Sequence, residues 1–475
     1  MPNQRMSDQR MSDQRMSDHR MSDQRMSDQR MSDQRMSDQR MSDQRMSDQR
    51  MSDQRMSNQH GGHLYMQTNE LRNCIAHYHR SANGKLHEVE RVLTGGTGSG
   101  GFKPISGQET APNDFEGAGS VILTPDRRFL FTTNAGDNSV SSFRVGEDGS
   151  LTQVDRKPTG NAAPEPEFRP GVPSKSGTCK SLCYSPSTGM LYVLHSFGPD
   201  HLRLMSVDGE GKLTPRPEKY SVNTKDATDR VATMVMLSPN GKFLFVGTTF
   251  DQRASANPDG SPILWVPGPD GKPASIASNW YADGLIIFPV GENGTLGPAS
   301  FHDGGGLSPW NIAFLHSQPD TFILGYAVSD GCAVGSIDEE GRIGLSPVVK
   351  VDTSPGLPSE LCWLAISPDD KMVYATNFGY GYLSSYRINS NGTELAIAKD
   401  PACPPVRGDG TFRGLDGVVT SGPSDSWITP DGDYLYQIYG NAAKLVGYAT
   451  QPDGSLNEIT SIKIPYNSPQ GLAGF

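Results

Sequence analysis

Charged, amide and aromatic side chains recur at one position along the chain, just before short apolar segments. This first set comprises Glu116, Lys180, Arg230, Trp310, Glu360, Asp425 and Gln470. A second set follows longer apolar segments and comprises Asp137, Arg253, Asp330 and Asn441. A carboxylate can activate a water molecule as a general base, and an Arg can hold an anionic group or a developing oxyanion. If the fold gathers these side chains, they suit the addition of water to a polarised carbonyl.

Roles can be assigned within these two sets. We predict three catalytic residues, Arg230, Glu360 and Asp425. We predict four substrate-binding residues, Glu116, Lys180, Trp310 and Arg253. In this interpretation the Arg holds an anion or oxyanion, and one of the two carboxylates is the base. The alternative is that these side chains form a hydrated polar rim or satisfy neighbouring polar groups.

Other reactive side chains do not predict a metal, a cofactor or a disulfide. His77 and His79 alternate on one face of a strand, and we interpret them as decorating an exposed outer strand. Cys179 and Cys183 form a C-x3-C pair with no His after it, which is a poor zinc signature. The six cysteines are expected to be reduced and mostly buried in strands, which favours a cytoplasmic location. We therefore expect no metal site and no cofactor.

A recurring unit must position the candidate residues. Its best copies are Ser120–Val154, Cys362–Leu395 and Ser426–Ile459. Each begins with a short apolar strand ending in Ser/Thr-Pro-Asp or a variant, followed by a turn, a second apolar strand, a third strand and a Gly-Xaa-Leu turn. A lone four-stranded sheet cannot bury both of its faces, so the copies must pack face to face around an axis.

The number of units follows from the weaker copies and the two ends of the repeat region. Weaker copies start at Lys180, Val231 and Asn311, which gives six units. His63–Val92 matches a unit from its second strand onward, and the terminal SPQGLAGF resembles the missing first strand. Sharing one unit between the ends would protect the edges of an open ring. The sequence therefore predicts an all-β, seven-bladed β-propeller over residues 61–475.

Residues 1–60 have a different character from the repeat region. They are twelve five-residue units, nine of which read MSDQR, and they contain no Leu, Ile, Val, Phe, Tyr or Trp. Such composition predicts a disordered, low-complexity tail. Its eleven Arg and ten Asp give it a charge of about +1, so the remaining residues carry about −12 of the total net charge of −11. An acidic body without a Lys/Arg cluster argues against nucleic acid and anionic membrane as partners.

Particular residues of the repeat region also suggest a family. TTNAGDNSVSSFRVGEDGSLTQV and SPQGLAGF resemble the seven-bladed lactonase propellers, which include 6-phosphogluconolactonases and carboxy-cis,cis-muconate cyclase. The resemblance covers about residues 63–475 and implies the propeller fold. It also implies hydrolysis of a sugar lactone, or cyclisation of a carboxymuconate-type acid to a lactone. Two lead-in segments read GAGSVIL and TCKSLCY, with Gly119 at a position where the family has a His.

Two kinds of function thus follow from the sequence. The first is an enzyme that binds an anionic or sugar-lactone substrate and opens or forms the lactone ring. The second is a non-catalytic propeller that binds a ligand or a protein. For either function we expect a monomer.

Overall fold

Seven antiparallel β-sheets arranged as blades make up the described propeller; six have four strands and one has a fifth short strand. A computed structural model describes residues 61–103, 110–115, 117–164, 177–228, 230–251, 265–267, 273–275, 284–351, 359–414 and 417–475. The predicted disordered tail therefore lies outside the described residues. Residues from Gly62 to Phe475 form one compact unit. The seven-bladed, all-β propeller that the sequence predicts is confirmed.

The strands are given blade by blade, from the inner to the outer strand of each. Blade 1 comprises β31 (Gln470–Gly474), β1 (Gly62–Gln67), β2 (Cys74–Arg80) and β3 (Leu86–Leu93). Blade 2 comprises β4 (Val121–Leu123), β5 (Phe129–Asn134), β6 (Ser139–Val145) and β7 (Leu151–Pro158). Blade 3 comprises β8 (Cys179–Ser185), β9 (Met190–His195), β10 (Leu202–Val207) and β11 (Leu213–Tyr220).

The remaining blades follow the same antiparallel order. Blade 4 comprises β12 (Arg230–Leu237), β13 (Phe243–Asp251), β16 (Gly284–Pro289) and β17 (Ser300–His302), and β14 (Trp265–Pro267) pairs with β15 (Pro273–Ser275) in the insertion between β13 and β16. Blade 5 comprises β18 (Pro309–Phe314), β19 (Thr321–Tyr326), β20 (Gly331–Ile337), β21 (Ile343–Leu345) and β22 (Val349–Lys350). Blade 6 comprises β23 (Leu361–Ile366), β24 (Met372–Asn377), β25 (Tyr382–Ile388) and β26 (Leu395–Lys399). Blade 7 comprises β27 (Pro423–Ile428), β28 (Tyr434–Tyr439), β29 (Lys444–Thr450) and β30 (Leu456–Lys463), with a short 3-10 helix at Gly440–Ala442.

The repeated Ser/Thr-Pro-Asp signature forms the turn between the first two strands of a blade. In blade 2 the Thr124 hydroxyl donates to Asp126 at 2.6 Å and accepts from the Phe129 backbone N–H at 3.0 Å. In blade 6 Ser367 makes the same two bonds, donating to Asp369 at 2.7 Å and accepting from the Met372 N–H at 2.9 Å. The short polar side chains thus supply hydrogen-bond partners to backbone N–H groups of a tight turn. This role explains why Ser/Thr-Pro-Asp recurs in the units.

Ring closure depends on the two ends of the propeller. The inner strands contact one another in the cyclic order β31, β4, β8, β12, β18, β23 and β27. β31 pairs antiparallel with β1, aligning Met66 with Leu472. His63 and Phe475 exchange backbone hydrogen bonds of 2.8 and 2.9 Å. The sequence predicts one blade that is shared between the two ends of the propeller. Blade 1 confirms this prediction.

Apolar clusters fill the seven interfaces between neighbouring blades. Leu64 and Leu472 of blade 1, for example, pack with Tyr436 and Ile438 of blade 7. Equivalent clusters join each of the other neighbouring pairs. Each blade consequently buries both of its faces only when both neighbours are in place. An eighth cluster lies apart from these interfaces and is described with the candidate site.

The sequence interpretation of His77 and His79 is wrong. Both lie on β2, which is the third strand of blade 1 and has strands on both sides. The His77 side chain is buried, its Nε2 lies 2.9 Å from His63 Nδ1, and its Nδ1 lies 3.4 Å from Glu90. Burial lowers the pKa of His63 to about 4. The location of both His residues on a strand is confirmed, but alternation along a strand does not reveal the position of that strand within a sheet.

We predict that deleting residues 470–475 abolishes cooperative folding of the propeller. The deletion removes the inner strand of blade 1 and exposes the clusters that contain Leu472 and Ala473. Thermal unfolding followed by circular dichroism should lose its sigmoidal transition.

Point substitutions provide a graded control for this deletion. Leu472→Ala should lower the free energy of unfolding by about 2–4 kcal/mol, because it leaves a cavity in a buried cluster. Leu71→Ala, at a side chain that is 70% exposed, should change it by less than about 0.5 kcal/mol. A truncated protein that unfolds as sharply as the full chain would contradict the closure role of β31.

Candidate functional site

Part of the connection between blades 1 and 2 is buried, although connections between blades normally run over the surface. Residues 111–119, called the axial segment below, lie in this connection, and all except Glu116 are described. Ala111, Asp114, Phe115 and Ala118 of this segment are each at most 6% exposed. Phe115 is among the largest fully buried side chains in the described part of the protein. The segment is therefore part of the interior.

Hydrogen bonds accepted by its backbone carbonyls tie the axial segment to blades on opposite sides of the ring. The Gly117 carbonyl accepts from Trp363 Nε1 on β23 at 3.0 Å. The Gly119 carbonyl accepts from the Leu182 N–H on β8 at 2.8 Å. The Pro112 carbonyl accepts from Gln470 Nε2 on β31 at 3.0 Å.

Close packing joins the segment to the remaining blades. Gly117 approaches Thr233 of β12 so closely that a Cβ atom would lie 2.0 Å from the Thr233 carbonyl oxygen. Ala111 and Ala118 belong to the eighth apolar cluster with Trp310 of β18 and Trp363 of β23. The Gly119 N–H donates to Asp425 of β27. Only a segment on the ring axis can reach the inner strands of six blades, so residues 111–119 close one end of the central channel.

Asp425 lies at this closed end and joins three blades. Its Oδ2 accepts from the Gly471 N–H of β31 at 2.9 Å and its carboxylate from the Gly119 N–H. Burial raises the pKa of Asp425 to about 6, because desolvation outweighs the hydrogen bonds that favour its charged form. The carboxylate is therefore largely ionised at pH 7 while it is almost fully buried.

Lys180 and Trp310 are the other predicted residues that reach the axial segment. The Cδ and Cε atoms of the buried Lys180 side chain lie 3.2 Å from the position that a Cβ on Gly117 would take. Lys180 lies beside Gly117, and Asp425 accepts from Gly119, which is two residues further along the chain. Two residues span at most about 7 Å, so Lys180 and Asp425 flank neighbouring points of the segment. The Trp310 ring meets Trp363 edge-on at 5.8 Å. Its buried Nε1 has no hydrogen-bond partner among the described residues.

Among the described residues, the contacts of Arg230 and Glu360 lie elsewhere. Arg230 turns toward the connection from blade 3, donates to the Val222 carbonyl at 2.9 Å and covers the ring of Phe301. Glu360 adopts a left-handed backbone conformation with φ of 57°. Its Oε2 lies 2.8 Å from the position that a Cβ on Gly414 would take, under the connection between blades 6 and 7. The remaining two predicted residues, Glu116 and Arg253, lie outside the described residues.

The second set of candidates makes local contacts at the hairpins between second and third strands. Asp137 pairs with Arg156 at 2.5 Å. The Ser359 hydroxyl donates to Asp330, and burial raises the pKa of Asp330 to about 6. Asn441 donates to Thr411 at 3.0 Å. These contacts stabilise neighbouring loops, as the alternative interpretation of satisfied polar groups expects.

Sequence reasoning missed Asp114 and Trp363. Asp114 accepts from Asn69 Nδ2 at 3.1 Å, from Gln470 Nε2 at 2.8 Å and from the Ser99 hydroxyl. Burial raises the pKa of Asp114 to about 7. Segment 95–115 reads as an irregular excursion in the sequence, and the one local signal is the run of small residues in Gly117-Ala118-Gly119, which allows close backbone approach.

Within the described ranges, the structure contains no group of three or more His, Cys, Asp or Glu side chains arranged to hold a metal ion. In the same ranges, no helix is long and apolar enough to cross a membrane. The described cysteines form no disulfide; Cys179, Cys332, Cys362 and Cys403 are buried.

The fold is that of a seven-bladed β-propeller, and part of the chain is similar to propellers of the lactonase type. Residues 55–166 match the family model described as lactonase, 7-bladed beta-propeller. The chain is 25% identical over 314 residues to a 6-phosphogluconolactonase of Klebsiella pneumoniae, an alignment that covers 60% of this chain and 85% of that protein. A 6-phosphogluconolactonase of Erwinia tasmaniensis is 23% identical over 302 residues, covering 60% and 84%. The resemblance inferred from the sequence is confirmed, and the low identity marks a divergent relative.

Solved structures support the same fold. The periplasmic gluconolactonase PpgL of Pseudomonas aeruginosa aligns with a TM-score of 0.59 at 15% identity, covering 87% of this chain and 99% of that one. A Lactobacillus plantarum protein aligns with a TM-score of 0.57 at 12% identity, covering 87% and 99%. At these identities the comparison establishes the propeller architecture alone.

We predict that Asp425→Asn weakens the pH dependence of stability. Because burial raises the folded pKa of Asp425 from 3.8 to about 6, its contribution is present in full below about pH 4 and is lost as pH rises through 6. The wild type should therefore lose about 2 kcal/mol more unfolding free energy than the variant between pH 4 and 7. Urea denaturation across this range measures the difference.

Asp126→Asn is the control for this experiment. Asp126 lies in the turn at the other end of β4, and its hydrogen bond from Thr124 lowers its pKa. This variant should keep the wild-type loss of stability between pH 4 and 7. Equal slopes for wild type and Asp425→Asn would show that Asp425 is not the titrating group.

Proposed function

We propose that this protein hydrolyses a lactone at the end of the channel that the axial segment closes. The observation that carries the proposal is the placement of Asp425, a buried carboxyl group, beside the axial segment that Lys180 also flanks. The similarity to lactonase propellers supports the same reaction class. Of the three predicted catalytic residues, Asp425 is the one that this geometry favours.

The chemistry requires a base, a charge-stabilising group and exclusion of bulk water. Asp425 takes a proton from water as the water oxygen attacks the lactone carbonyl. The Lys180 ammonium stabilises the negative charge that develops on the carbonyl oxygen. The ring C–O bond then breaks, and the proton passes from Asp425 to the leaving alkoxide, so that lactone and water give a hydroxy acid. Burial strengthens the electrostatic contribution of both groups.

The proposed substrate is a sugar lactone that carries an anionic group. The similar proteins of Klebsiella pneumoniae and Erwinia tasmaniensis are 6-phosphogluconolactonases, and the structural neighbour PpgL is a gluconolactonase. The buried Lys180 supplies positive charge at the axis, and the unpartnered Trp310 N–H can donate to a sugar hydroxyl. Cyclisation of a carboxymuconate-type acid remains a prediction of the resemblance, and no contact of the described residues favours it.

A non-catalytic ligand- or protein-binding propeller is the second candidate function. One observation favours it: the axial segment closes one end of the channel, and its Phe115 side chain is only 1% exposed. A propeller whose channel stays closed would bind partners through its outer loops. Measurement of turnover separates the two candidates.

We predict that Lys180→Met lowers kcat/KM for the preferred lactone by about 100-fold or more, by analogy with loss of one oxyanion-stabilising donor. The substrate panel contains 6-phosphogluconolactone, gluconolactone and a carboxymuconolactone, with acid release followed in a pH-stat. Because Asp425 acts in its ionised form and burial raises its pKa to about 6, kcat/KM should rise with pH through 6 in the wild type. Asp425→Asn should abolish turnover.

Lys444→Met is the control, because Lys444 is an exposed residue at the start of β29. This variant removes the same charge away from the axis and should retain wild-type kcat/KM. No turnover of any panel lactone by the wild type above the spontaneous rate would rule out the lactonase proposal for these substrates. It would leave the binding propeller as the better candidate.

A further inference from the structure

Two imidazole rings contact each other where the strands that close the ring meet blade 2. His63 lies on β1 and His77 on β2, and His63 Nδ1 is 2.9 Å from His77 Nε2. Gly149, in the turn between β6 and β7, packs on His63 so closely that a Cβ at Gly149 would lie 2.2 Å from His63 Nδ1. The ring of Phe475, which follows β31, lies 5.0 Å from the His63 ring. The histidine pair therefore contacts both the closing strands and the neighbouring blade.

Side chains around the pair extend this contact to the backbone of blade 2. Glu90 Oε1 lies 3.4 Å from His77 Nδ1 and accepts from the Leu151 N–H of β7 at 2.9 Å. Tyr65 stacks on His77 with their ring centroids 4.9 Å apart, and its hydroxyl donates to the Gly149 carbonyl at 2.6 Å. A change in the position of His77 would therefore disturb both of these attachments between blades 1 and 2.

The geometry of the pair limits the number of protons that it can hold. A hydrogen bond between two ring nitrogens needs one nitrogen that carries a hydrogen and one that does not. A neutral pair meets this need, and so does a pair with one added proton. When both rings are protonated, every ring nitrogen carries a hydrogen, so His63 Nδ1 and His77 Nε2 would be two donors 2.9 Å apart. The closed contact therefore excludes a second cation, in whichever order the rings titrate.

The electrostatic surroundings of the pair act in the same direction. The titratable and charged groups that face it are His79 and Arg80 on β2, Glu90 on β3 and Asp148 in the turn of blade 2. Burial and the neighbouring His77 lower the pKa of His63 to about 4, and the exposed Asp148 only partly opposes them. Burial also lowers the pKa of His77, although its contact with Glu90 favours the charged form. One cation thus has a carboxylate beside it, whereas a second has a like charge beside it.

We propose that His63 and His77 form an acid-sensitive contact that controls ring closure, which holds while the pair carries at most one added proton and releases when both rings are protonated. The element released is the pairing of β1 with β31, because the backbone hydrogen bonds between His63 and Phe475 belong to the same residues. β31 also carries Gly471, whose N–H donates to Asp425. Any consequence for catalysis rests on the proposed lactonase function, whereas the release can be measured without a substrate.

The direction of the pH effect follows from the proton count. Below the ordinary pKa of 6.5, an opened and solvated pair binds two protons, whereas the closed pair binds at most one. The closed state is therefore fully stable above about pH 6.5 and loses stability as pH falls from 6.5 towards 4. Asp425 also contacts β31 and has the opposite dependence, because its pKa is raised. The effect of the histidine pair is consequently measured as a difference between the wild type and a variant.

His63→Asn gives the first test, with amide hydrogen exchange of residues 470–475 followed by mass spectrometry. An Asn amide can donate to a neutral His77 or turn to accept from a charged one, so the variant should lack the acid-sensitive release. Protection factors, which are corrected for the intrinsic exchange rate at each pH, should fall about tenfold more in the wild type than in the variant between pH 6.5 and 5. The same comparison for β16 (Gly284–Pro289) of blade 4 should give no difference.

His87→Asn is the matched control, because His87 lies on β3 of the same blade and is exposed. This variant should keep the wild-type change of protection with pH. If the wild type and His63→Asn change equally at residues 470–475, the proposal is wrong. An equal extra loss of protection at β16 in the wild type would also overturn it, because acid would then unfold the ring as a whole.

His77→Gln and the double variant with His63→Asn give the second test. Because the limit belongs to the pair, removal of either ring should remove the whole effect, and the double variant should match each single variant. Two histidines that titrate independently would instead give a double-variant effect equal to the product of the two single effects, which would contradict the proposal. If the exchange results hold but no lactone is turned over, the acid-sensitive closure stands and the lactonase proposal fails.

Discussion

A four-stranded sheet with two apolar faces is stable only between two neighbours, and this constraint governs the structure. Seven blades satisfy it by forming a ring in which each interface holds one apolar cluster. The ring has no free blade, because β31 and β1 come from distant parts of the chain and pair within one sheet. The stability of every blade therefore depends on the pairing of β1 with β31, in which Met66 lies opposite Leu472.

A closed ring of seven inner strands creates a second problem along its axis. The inner edges of these strands would face a hydrated channel unless another group covers them. In this protein the chain itself covers one end, with Gly117 and Gly119 providing the close backbone approach that larger residues would prevent. The consequence is a desolvated environment around Asp114 and Asp425, in which burial raises both pKa values.

The same desolvation links architecture to function. Lactonase-type propellers have the same ring architecture as this chain. The lactone hydrolysis proposed for this protein needs a base and a cation whose charges bulk water does not screen. The axial segment supplies that exclusion of water beside Asp425 and Lys180. An enzyme needs this carboxylate and this cation to meet a substrate, whereas a binding propeller does not, and this difference separates the two candidate functions physically.

The sequence alone determined the fold class, the seven blades and the closure by the two ends, because these depend on local alternation and turn chemistry that recur in each unit. It also placed candidate residues at the starts of inner strands, which brought Lys180, Trp310 and Asp425 near the axis. Only the tertiary structure decided that Arg230 turns toward Val222, that His77 is buried, and that residues 111–119 cross the ring. A lead-in loop has no periodicity, so its path depends on contacts with blades distant in sequence, and Asp114 becomes a buried acid only when that path is set.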